Sequence, residues 1–274
     1  MTTATAVRTP AVPAATHRPG LTETMRSEFI KIRSVRSTYW TLLAQGVASI
    51  AWAGIDCGGI VAHSSYFPGF NAAQPSLAGQ VALGELIIVA LGALVITSEY
   101  STGMIRTSLT VMPRRGVLYA AKAIVFAAVS LAVSLVTSFA AFFTGQAFLA
   151  SKHVNATLAQ PYALRAVLLS AAVVTVFGLL AYGTGAIIRN TAGSITGILG
   201  VIFLLPLLAQ ALPNSWFFDL ERWLPGGQAL NPISGGLPHS GNQLFSAWGE
   251  FAVFCGYAVV LLAVGAWSFC RRDA

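Results

Sequence analysis

Thr97-Ser98-Glu99-Tyr100-Ser101-Thr102-Gly103-Met104-Ile105-Arg106-Thr107-Ser108-Leu109, followed by Pro113-Arg114-Arg115, is a polar island between two apolar runs, Leu77 to Ile96 and Val117 to Leu149. Each run is long enough to cross a bilayer, which takes about 20 apolar residues. The island is therefore a short connection held at a membrane surface from both sides. Gly103 and Pro113 bracket a segment able to form a short helix. In it Met104, Ile105, Ser108 and Leu109 would share one side as an apolar knob, with Glu99 and Arg106 at its margins.

Composition points the same way. The chain is 55% hydrophobic and only 9% charged, against roughly 25% charged in an ordinary soluble domain. The mean hydropathy is +0.71. Such a surface suits lipid, so the fold class is all-α integral membrane. The net charge of +7 comes from basic residues scattered beside apolar runs. That pattern sets orientation and touches anionic headgroups, and it argues against nucleic-acid binding.

Working outward, residues 1–20 are rich in Thr, Ala and Pro and lack an apolar core, which reads as a disordered cytoplasmic tail. From there, residues 21–274 form one transmembrane domain. Leu21, Met25, Phe29 and Ile32 recur at helical spacing, while Arg26, Lys31 and Arg33 take other faces. This predicts an amphipathic helix in the headgroup plane, with Tyr39-Trp40 anchoring the first span. Six spans are expected, near Tyr39–Ile60, Ala78–Ile96, Leu118–Phe143, Leu164–Ile188, Ala192–Leu212 and Ala247–Phe269. Arg189-Asn190-Thr191 leaves room only for a tight hairpin between the fourth and fifth. The stretch from His63 to Gly79 reads as an irregular outer loop. Trp216, Leu220 and Trp223 predict an outer interfacial helix, read equally as an aromatic anchor or as a gate.

With the amino terminus inside, thirteen Lys and Arg fall on the inner face and only Lys152, Arg165 and Arg222 on the other, out of sixteen in all. The positive-inside bias places both termini in the cytoplasm.

Catalytic chemistry is hard to find. A phosphate-cradling loop needs Gly directly before Lys, but Lys31, Lys122 and Lys152 follow Ile30, Ala121 and Ser151. Cys57, Cys255 and Cys270 lack metal-ligand spacing, and the four histidines form no H-E-x-x-H. Glu85 and Glu250 are the acids to watch, as pathway or buried groups, because a charge in a span is costly and tends to be functional. Both are placed near the outer surface. Gly193 and Gly197 form a G-x-x-x-G, which suits a dimer face or packing within the chain, and Gly54 and Gly58 repeat the spacing.

Thr97-Ser98-Glu99-Tyr100 with Gly103, Arg106, Leu109, Pro113-Arg114-Arg115 and Lys122 resembles the intracellular loop of ABC-2 type exporter permeases. The run from Met25 to Ser37 is similar to the opening of short bacterial members of that family. The resemblance implies a permease in the bacterial cytoplasmic membrane, exporting a lipid-like, polymeric or drug-like molecule. It implies a separate ABC ATPase subunit that binds the ATP, no cofactor on this chain, and a second permease copy as a homodimer. It also implies that Glu99, Tyr100, Gly103, Met104, Ile105, Arg106, Leu109, Arg114 and Arg115 form the ATPase-coupling loop. Beside that loop, along the inner surface, would lie the interfacial helix with Met25, Phe29, Lys31, Ile32 and Arg33. The alternatives are a solvated basic loop within a self-contained secondary transporter or channel, or an intramembrane enzyme.

Overall fold

The computed structural model describes residues 20–63, 71–112, 114–205, 207–208, 223 and 246–271. Among these every regular element is helical. Helix α1 spans Leu21–Ser34 and α2 Arg36–His63. Helix α3, Ala73–Gly79, runs through a π-helical turn, Gln80–Gly84, into α4, Glu85–Ser101. Then come α5 at Met104–Val111, α6 at Arg115–Leu149, α7 at Pro161–Ile188, α8 at Thr191–Leu199 and α9 at Ala247–Arg271.

Five helices are long and apolar enough to cross a membrane: Arg36–His63, Ala73–Ser101, Arg115–Lys152, Tyr162–Ile188 and Trp248–Arg271. The fifth of the six expected spans appears as a shorter apolar helix, Thr191–Leu204, with its far end outside the described residues. The second span starts earlier than its hydropathy suggests. Ala73 to Gly79, read from sequence as irregular loop, is helical and packed against α2 and α6. Pro75 does not prevent this, because it stands in the first turn, where its missing N–H has no helical partner to lose. The expected outer helix at Trp216 lies outside the described residues, apart from Trp223.

Helix α7 is the hub, packed on α4, α6, α8 and α9. Its most apolar stretch is 72% buried inside the bundle, whereas that of α2 is only 17% buried. The α4–α7 crossing is close because Gly92 and Gly178 meet there; a methyl group on Gly92 would strike the Gly178 backbone carbonyl. A second small-residue contact joins Gly183 to Gly265 of α9. Gly145 of α6 and Gly79 of α3 are as closely packed, against Ser76 and Trp52. Gly54 and Gly58 pack within the chain, against Phe148 of α6.

The tight α7–α8 hairpin has a simple physical basis. Arg189 takes the left-handed conformation that ends α7, and the Asn190 side chain accepts the Gly193 N–H at 2.9 Å to cap α8.

Candidate functional site

Lys122 stands seven residues into α6, about two turns, and it is buried. Its ammonium donates to Glu28 Oε2 at 2.6 Å and to Glu99 Oε1 at 2.8 Å. Lys31 donates to Glu28 Oε1 at 2.7 Å and to Glu99 Oε1 at 3.4 Å. Two lysines and two glutamates, from α1, α4 and α6, thus form one closed, formally neutral ring. Taking ions out of water costs several kcal/mol each, and only well-placed partners repay it. Helix α1 therefore cannot leave the bundle without taking Glu28 from Lys122 and Lys31 from Glu99.

Burial alone would raise the Glu28 carboxyl, but the charge and hydrogen bond of Lys122, with Lys31 behind them, outweigh it. The group is held below its usual value. At Lys31 burial pulls downward, and Glu28 with Glu99 reverses it, holding the ammonium above its usual value.

The ring sets which side of α1 meets the bundle. Its buried residues are the polar Thr24 and Glu28, while Leu21, Phe29 and Ile30 are exposed. Met25 and Ile32 are half-buried, and Arg26 and Arg33 are exposed. Docking is thus by charge on one side, and Leu21, Phe29 and Ile30 are left uncovered by the described residues.

The polar island holds the end of α4 to its neighbours. Thr97 Oγ1 is 2.7 Å from Thr191 Oγ1 at the start of α8. Tyr100 packs edge-on against Phe269 and lies under the Arg189 guanidinium, 4.9 Å from the ring centroid. Arg189 also donates to the Ser268 carbonyl at 3.4 Å. Gly103 then turns the chain with φ of 71°, a conformation that suits glycine, and α5 begins.

Two expectations for the island are corrected. Glu99 does not sit at the margin of an outward knob; it is buried in the charge ring. Ile105 does not share an outward face with Met104. It is 3% exposed and packs with Ile96, Met112 and Leu118, whereas Met104 is 48% exposed. Adjacent helical residues point about 100° apart, so one anchors α5 and the other remains free for contact. Thr107 and Arg114 are exposed, and Ser108 and Arg115 are intermediate. Arg106 and Leu109 belong to α5, but their side chains lie outside the described set. Between α1 and α5 opens a groove of about 370 Å³, lined by Thr24, Ser27, Lys31, Met104, Thr107 and Ser108 among others.

The remaining candidates lie elsewhere. Glu85 and Glu250 are buried, at 3% and 1% exposure. Gly193 and Gly197 are on α8, where a methyl on either would first meet Ile188 of the same hairpin, at 3.2 and 3.9 Å.

Residues 79–274 match the family described as ABC-2 family transporter protein. The chain belongs to that family. It is a multi-pass membrane permease component of ABC-type transport, a class that works with an ABC ATPase subunit. No curated protein matches it. The matched region contains Glu99, α5 and Lys122 but begins after α1 and α2. The ring therefore joins the permease core to a helix outside the matched region.

Sequence reasoning missed Glu28 as a partner of Lys122, and Arg189 as a partner of Tyr100. A signal for the first was present: Lys122 stands inside an apolar run, where an unpaired cation is expensive, so an acid had to be nearby. Which of the nine acids it was, sequence could not say.

Proposed function

We propose that this permease is the membrane half of an ATP-driven exporter in a bacterial plasma membrane. It carries a lipid-like, polymeric or drug-like molecule outward and works as a homodimer with two ATPase subunits. Both chain ends and the α4–α6 connection face the cytoplasm, and the α8 surface around Gly193 and Gly197 meets the second copy. The ATPase seats in the groove between α1 and α5, with Met104 and Thr107 as its contacts.

The single observation behind this reading is the placement of that groove directly over the charge ring. A push on α5 reaches α4 through Gly103 and α6 through Ile105 and Leu118. The ring makes α1 move with them, because separating the ions is costly. Burying Met104 in the partner would contribute about 1.5–3 kcal/mol at full burial, enough for roughly tenfold or more in affinity.

The test is co-purification with the ABC ATPase subunits of the same cell. Met104→Ala with Thr107→Glu should reach the membrane normally yet lose the ATPase and transport together. Undiminished transport by that variant at matched membrane levels would refute the docking site.

A further inference from the structure

The outward stripe of α1 is Arg26, Phe29 and Arg33, spaced i, i+3, i+7 on one helical face. All three are exposed. Among the described residues neither arginine makes an ion pair, in contrast to Lys31, which two carboxylates neutralise. Below the stripe, a groove of about 790 Å³ runs between α2 and α6. Leu42, Gly46, Val47 and Ile50 form one wall, and Val133 and Val136 belong to the other. Arg33 and Tyr39 also line this groove. At Gly46 the α2 wall lies close to α6: a methyl there would sit in ordinary contact with Thr137 Oγ1, at 3.4 Å. On the other side of Phe29 lies a second groove of about 440 Å³, with Met25, Arg26, Val125 and Ala128. The two share Phe29, Val129 and Ala132.

The dimensions and the charge together select an occupant. From Tyr39 to Ile50 the α2 wall rises about 16 Å, close to half of a hydrocarbon core about 30 Å thick. The larger groove is thus one leaflet deep and has a cation at its α1 end. A docked transmembrane helix would need a face running the full thickness, and it would bring no counter-charge for two arginines. A diacyl lipid supplies both parts. We propose that the paired groove binds one anionic phospholipid, its phosphate between Arg26 and Arg33 and its two acyl chains on either side of Phe29. The proposal rests on the inner-surface position given to α1 above, and not on the identity of the transported molecule. A lipid held there would press α1 onto α6 from the side opposite the charge ring.

The test is native mass spectrometry of the full-length permease, delipidated in a neutral maltoside detergent and titrated with phosphatidylglycerol or phosphatidylcholine. One phosphatidylglycerol per chain is expected, bound roughly tenfold or more tightly than phosphatidylcholine. Arg26→Gln with Arg33→Gln should erase that preference, and Arg26→Lys with Arg33→Lys should keep most of it. Val133→Trp, which fills the larger groove, should weaken both lipids. Equal binding of the two lipids by the parent protein would overturn the proposal, as would an unchanged preference in the double Gln variant. A cysteine at Val47 that cross-links to its copy on a second chain would show the groove to be a protein interface, and would overturn it equally. No ATPase enters the measurement, so failure here is distinct from failure of the docking reading.

Discussion

Glu85 and Glu99 stand on one helix, two heptads apart, and both are almost wholly buried, at 3% and 6% exposure. Gly92, the point of closest approach to α7, lies midway between them. Yet Glu99 meets two lysines, whereas Glu85 makes no ion pair or hydrogen bond among the described residues. Burial of an acid is therefore not one condition. At the Glu99 end the helix is joined electrostatically to α1 and α6. At the Glu85 end no ion pair joins it to a neighbour among the described residues, and Gln80 of the adjoining π-helical turn accepts from Gln45 and donates to the Ser134 carbonyl, each at 3.2 Å. The crossing at Gly92 separates an end tied to two lysines from an end with no ion pair among the described residues.

The largest effect should come from removing the cation of the ring. Lys122→Met leaves Glu28 and Glu99 buried with only the half-exposed Lys31 for company, at a cost of about 3–5 kcal/mol. Thermal unfolding in detergent reads it. Adding Glu28→Gln and Glu99→Gln to that variant should recover most of the loss, since an uncharged set has no ion to strand. No recovery would mean that the ring contributes by shape rather than charge.

Next in size is the crossing itself. Gly92→Ala drives a methyl into the Gly178 carbonyl and should cost about 1–3 kcal/mol. It should disturb both ends of α4 equally, which amide exchange along the helix can show. An exchange change confined to one end would mean that the two ends are not coupled through the crossing.

The direct comparison follows. Glu99→Gln should lose about 1.5–3 kcal/mol, the usual value of a hydrogen bond to a charged group, while Glu85→Gln should lose under about 1 kcal/mol. Equal losses would show that Glu85 has a charge partner of its own.

The smallest effect is that of pH. Glu28 is held below its usual value, so its stabilising share is fully present above about pH 4.5 and is lost as pH falls through the lower folded value. Lys31 is held above its usual value, so its share is present below about pH 10.5 and is lost as pH rises through the higher folded value. Attachment of α1, followed by a probe at Ser34, should be flat between about pH 6 and 9. Acid release should be weakened in Glu28→Gln. A transition near neutrality would point to a different titrating pair.

Much of this permease is legible in its residues taken singly. Long apolar runs cannot stay in water and cannot leave backbone groups unpaired in lipid, so the helices and their approximate limits follow from composition. Gly103 and the capping Asn190 likewise mark their turns by local conformational chemistry. The α5 helix was legible too, but which of its neighbouring residues faced inward was not. Met104 and Ile105 are both apolar, and only the position of the bundle chooses between them.

Partnership is what tertiary structure alone decided. Lys122 advertised a need for an acid, but Glu28 lies 94 residues away in sequence and Glu99 lies 23. Their meeting depends on three helices arriving at one place. The same holds for α1, whose periodicity marked an apolar stripe but not which residues would meet the bundle; Glu28 and Lys31 do so through Lys122 and Glu99. A local pattern reports what each residue requires. Only the folded chain settles which neighbour meets the requirement, because Coulomb attraction and close packing act across space and are indifferent to sequence order.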